Sequence, residues 1–76
     1  MQKWEYLFVD CENVKGFRPK YVNRQEMQDW KTGPFIDEFA NYLGEQGWEL
    51  VSYSPIFFST PASFDYLRVI FKRPKR

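Results

Sequence analysis

The stretch Leu43-Gly44-Glu45-Gln46-Gly47-Trp48-Glu49-Leu50-Val51 decides the fold. It reads as a helix stop followed at once by a strand start. Gly47 supplies the left-handed residue that ends a helix, because glycine carries no Cβ to clash there. Leu43 and Trp48 then occupy the two positions whose apolar contact seals such a stop. Upstream, Ile36, Phe39, Ala40 and Leu43 repeat at the i, i+3, i+4, i+7 spacing of one buried helical stripe. Pro34 suits the first helical position, with Thr32 or Gly33 as the cap, and Asp37 and Glu38 favour the positive end of the helix dipole. Gly44 inside the helix costs about 1 kcal/mol relative to Ala, which a close backbone approach by the sheet would justify.

Working outward, Trp48-Glu49-Leu50-Val51-Ser52-Tyr53-Ser54 reads as a strand, and Pro55 marks it as an edge or an ending. Ile56-Phe57-Phe58 either extends it or begins the turn, and residues 59–63 form a loop. Phe64 to Arg73 is the clearest strand and is expected at the centre of the sheet. Trp4 to Cys11 is a further strand with two apolar faces: Trp4, Tyr6 and Phe8 on one, Leu7, Val9 and Cys11 on the other. Such a strand is expected to be covered on both sides.

Residues 12–33 form an irregular excursion, longer than an ordinary loop. Gly16, Pro19 and Gly33-Pro34 break it. Asn23 tolerates positive φ, so Asn23-Arg24 is suited to turn a short extra hairpin within residues 14–28. Phe17, Tyr21, Met27 and Trp30 argue against disorder.

These elements give a single α+β domain over residues 1–76: a β-α-β-β layer with a three-stranded, mainly antiparallel sheet and one helix on one face. The first strand pairs with the outer side of the last. The helix is expected over Leu7, Val9, Leu67, Val69 and Phe71. The other face then displays Trp4, Tyr6, Phe8, Tyr66 and Ile70, too apolar to leave in water. Either the excursion or a second subunit covers it.

Composition limits the function. A chain of 76 residues buries only ~60% of its unfolded surface, but eight Phe, five Tyr and three Trp supply more aromatic surface than one small core needs. The net charge of +1 favours no nucleic-acid role by itself. Its distribution sets an acidic helix against a basic excursion and a basic tail at 72–76. With no histidine there is no Ser-His or Cys-His pair and no histidine metal ligand. Cys11 is the only cysteine and reads as a small core residue, with Asp10 and Glu12 beside it raising its pKa. No secretory signal or membrane span is visible, so a cytoplasmic protein is expected, without cofactor, metal or membrane partner. No spacing of residues points to an enzyme.

Trp4-Glu5-Tyr6, the central Leu43-Gly44-x-x-Gly47-Trp48-Glu49-Leu50 and the terminal Phe71-Lys72-Arg73-Pro74 resemble the small bacterial and phage family called domain of unknown function 4177. The resemblance implies a common fold and no assigned reaction, so it carries over no catalytic residues. Family members often have Asn-Gly where this chain has Asn23-Arg24.

Two functional readings follow. The first is a non-enzymatic interaction domain of unknown role that self-associates, with a dimer as first expectation, through Trp4, Tyr6, Phe8, Tyr66 and Ile70. The second is a binder of an anionic small ligand such as a nucleotide, or of single-stranded nucleic acid, through the basic and aromatic residues 17–31: Arg18, Lys20, Tyr21, Arg24, Trp30 and Lys31. Set against the second is a structural reading, in which Tyr21 and Trp30 cover the sheet and the charges solvate the loop.

Overall fold

The alternation of the N-terminal segment produces a ten-residue strand, β1 (Trp4–Asn13). A three-residue turn with Lys15 and Gly16 at positive φ returns the chain into β2 (Phe17–Val22), and the Asn13 side chain accepts from the Gly16 N–H at 2.8 Å. Asn23 and Arg24 both have positive φ, 49° and 70°, and lead to the two-residue strand β3 (Gln25–Glu26). A 3-10 turn (Trp30–Thr32) precedes the helix α1 (Ile36–Glu45). The strands β4 (Glu49–Pro55) and β5 (Tyr66–Pro74) complete the chain. This computed structural model describes residues 1–55 and 66–76. The expected extension at 56–58, the loop at 59–63 and the strand start at 64–65 lie outside the described residues.

The class is α+β, but the expected three-stranded sheet is corrected. Among the described residues the sheet has five strands, all antiparallel to their neighbours, in the order β3-β2-β1-β5-β4. The reason lies in backbone hydrogen bonding. β1 runs two residues past Cys11, and its outer edge offers unpaired N–H and C=O groups that must find partners. The 14–28 hairpin supplies them by joining the sheet. This also moves the centre: β1, not β5, is the middle strand. The register shifts by one residue between Asp10↔Tyr21 and Cys11↔Pro19, which leaves Lys20 as the extra residue of a bulge.

The helix stop forms as its spacing predicts. Gly47 has φ 89°, the Trp48 N–H donates to the Leu43 carbonyl at 3.0 Å, and the Gly47 N–H donates to that of Gly44 at 3.1 Å. These are the two bonds of a Schellman motif. The helix start differs from expectation. Phe35, in extended conformation, is the N-cap, and the Glu38 carboxylate accepts from its N–H. Gly33 is unavailable as a cap because it closes the 3-10 turn. Gly44 is also corrected: a Cβ there would meet nothing within 4 Å, so no close approach of the sheet explains it.

Val9, Cys11, Leu43, Val69 and Phe71 form the buried core, with Leu7, Ile36, Phe39, Ala40, Trp48 and Leu67 packed against it. The helix thus covers one face of β1 and β5, and no other element among the described residues packs over the opposite face of the sheet.

Candidate functional site

Opposed residues of an antiparallel pair share a face, so the β1–β5 register builds the open side directly. Tyr6 faces Lys72, Phe8 faces Ile70, Asp10 faces Arg68, and Glu12 faces Tyr66. All five residues expected on this face, Trp4, Tyr6, Phe8, Tyr66 and Ile70, lie on it. Trp4, Tyr6 and Phe8 are 40%, 50% and 45% exposed, although they sit on the central strand. The excursion extends the sheet sideways and does not cover them. Tyr66 and Ile70 are half-buried.

Charged groups frame the aromatics. The Lys72 ammonium lies 4.5 Å from the centre of the Trp4 ring. The Arg68 guanidinium donates through Nε to Asp10 Oδ1 at 2.7 Å and through Nη2 to Oδ2 at 3.2 Å, and this carboxylate pairing holds its pKa above the ordinary value. Neither Asp10 nor Arg68 was singled out for a site by sequence reasoning. Only their cross-strand register, 58 residues apart in sequence, reveals the pair.

The candidate ligand residues of the excursion separate into two groups. Arg18 is consumed structurally. Its Nε donates to the Val14 carbonyl, its guanidinium donates to the Gly33 carbonyl, and it stacks 4.0 Å over the Phe35 ring. That ring also fills the space over Gly16, where a Cβ would sit 2.8 Å from it. Lys20 is likewise engaged: its ammonium donates to Glu12 Oε1 at 3.0 Å and lies 4.9 Å from the Trp30 ring and 5.5 Å from that of Tyr21. The bond to Glu12 holds its pKa above the ordinary lysine value. Trp30 is buried, 7% exposed, and Tyr21 is half-buried. Lys31 is exposed, its ammonium 5.9 Å from the Trp30 ring.

Arg24 behaves differently. It is exposed, and among the described residues it has no hydrogen bond or ion pair. The turn places it at an open depression on the aromatic face, lined by Tyr6, Phe8, Asp10, Asn23, Arg24 and Arg68. Asn23 fixes the turn to β1: its Oδ1 accepts from the Phe8 N–H at 3.0 Å, and its own N–H donates to the Phe8 carbonyl at 2.8 Å. The structure therefore joins one residue of the second candidate set to two of the first.

Cys11 is buried in the core, where loss of solvation and then the Asp10 charge push its thiol up to about 12. This is the opposite of the lowered pKa that activates a cysteine nucleophile. Among the described residues, no group of three His, Cys, Asp or Glu is placed to hold a metal, and no helix is long and apolar enough to cross a membrane.

Residues 4–74 match the family model described as Domain of unknown function (DUF4177). The chain belongs to this family. No curated protein and no solved structure matches it. The motif residues of this DUF4177 chain divide between two jobs. Gly47, Trp48 and Phe71 build the helix stop and the core, whereas Trp4 and Tyr6 are displayed on the open face.

Proposed function

We propose that this chain is a non-enzymatic interaction domain that self-associates through its open sheet face. The observation that carries the reading is the exposure of Trp4, Tyr6 and Phe8 on the central strand. Central strands ordinarily have both faces packed when both are apolar. Taking ~200 Å² for a whole aromatic side chain, these three leave roughly 270 Å² in water on each copy. Covering both copies gives roughly 13 kcal/mol at ~25 cal/mol/Å². The cost of association is of similar size, ~4–15 kcal/mol. The dimer is therefore a concentration-dependent one. Ile70 and the aliphatic stem of Lys72 add area at its margin, and the paired Asp10–Arg68 charges meet solvent at its rim. The single Cys11, buried and unable to form an internal disulfide, is compatible with a cytoplasmic setting.

Sedimentation across a concentration series tests this. The wild type is expected to pass from monomer to dimer, and Tyr6→Glu to remain monomeric with an unchanged far-UV circular dichroism spectrum. A wild type that stays monomeric at the highest soluble concentration, or a Tyr6→Glu variant that dimerises equally well, would sink the proposal.

A further inference from the structure

Arg24 stands at a turn position that favours glycine. The two-residue turn of the β2–β3 hairpin needs positive φ at both residues, and Asn followed by Gly meets that need best. Here Arg24 holds φ 70°. The two Asn23–Phe8 hydrogen bonds hold the turn, but the Arg24 side chain itself has no ion pair or hydrogen bond among the described residues. A side chain kept in an unfavourable backbone region without a local partner is a pointer to function.

Its surroundings name the chemistry. Tyr6 and Phe8 offer two partly exposed rings as a floor. The Asn23 Oδ1 is occupied by the Phe8 N–H, which leaves the amide N–H groups of Asn23 as donors. Asp10, the one carboxylate among the described residues that line the depression, is neutralised by two hydrogen bonds from Arg68. Among the described residues the Arg68 Nη1 donors have no partner. Among the described residues the depression therefore presents donors and π-faces and no unpaired negative charge.

We infer that this depression binds a flat aromatic ring bearing an anionic group, of the nucleoside monophosphate class. The ring stacks on Phe8 and Tyr6, and the anion is held by Arg24 with help from Asn23. Arg suits this role because its guanidinium fork matches phosphate oxygens two at a time. The same chemistry occurs in a free nucleotide and in a single-stranded oligonucleotide, and both are probes in the test. The inference does not rest on self-association.

The test is calorimetric titration with adenosine 5′-monophosphate, adenosine, inorganic phosphate and a short oligothymidylate, at protein concentrations where sedimentation shows monomer. Failure here then leaves the dimer reading intact, and the reverse. The monophosphate or the oligonucleotide is expected to bind saturably, and more tightly than adenosine or phosphate alone. Whichever of the two binds more tightly identifies the source. Arg24→Gly is expected to weaken that binding at least about tenfold. The same variant should raise the urea midpoint, because glycine relieves the turn. That separates lost binding from lost folding. Equal affinity in wild type and Arg24→Gly, binding of phosphate as tight as that of the nucleotide, or no binding of either nucleotide probe overturns the inference.

Discussion

The Arg73 guanidinium lies 4.3 Å from the centre of the Trp48 indole, so the last strand is clamped onto the residue that seals the helix stop. The same guanidinium donates to the Gln46 carbonyl at 3.0 Å and pairs through Nε with Glu5 on β1. One side chain thus joins β5, β1 and a carbonyl left unpaired at the end of α1.

Arg73→Ala is expected to destabilise the domain by about 1–2 kcal/mol in urea unfolding, combining a lost cation–π contact with a lost charged hydrogen bond. Arg73→Lys should recover only part of this, because an ammonium cannot stack flat and reach both partners. Equal stability of the wild type and the alanine variant would show that the clamp contributes nothing.

The two glycines of the helix stop should respond oppositely to alanine. Gly44→Ala is expected to stabilise by up to about 1 kcal/mol, since the added methyl meets open space in a helix interior. Gly47→Ala is expected to destabilise by about 1 kcal/mol, since φ 89° is strained for any residue with a Cβ. Thermal unfolding of both variants checks the pair, and a shift of the same sign in both would contradict the assignment.

Cys11 predicts a pH dependence. Its folded pKa is raised from 9.0 to about 12, so above pH 9 the unfolded chain loses its thiol proton first. The native state then binds more protons, and stability falls as pH rises through this window. The wild type should therefore lose more stability than Cys11→Ala between pH 8 and pH 11, compared as the slope of each protein's own unfolding free energy. Identical slopes would mean that the thiol is solvated in the native state.

Much of the fold is legible in local sequence. The Leu43, Gly47 and Trp48 spacing specifies a stop whose hydrogen bonds join residues three and five apart. The alternation of β1 assigns Trp4, Tyr6 and Phe8 to one face and Val9 and Cys11 to the other before any partner is known. Asn23-Arg24 marks a turn, because few residues accept positive φ in succession.

Tertiary structure alone decided where that turn goes and what it meets. The hairpin docks on β1 through backbone groups that every residue carries, so no side-chain pattern announces the pairing or the bulge at Lys20. In sequence, Arg18, Lys20 and Arg24 are equivalent cations of one basic segment. In the fold, Arg18 is bound to the Val14 and Gly33 carbonyls and Lys20 to Glu12, while Arg24 is left facing Tyr6 and Phe8. The local chain determined the elements and their faces, because those depend on neighbours a few residues away. The contents of the open face depend on strand register across the sheet, which brings together residues separated by most of the chain.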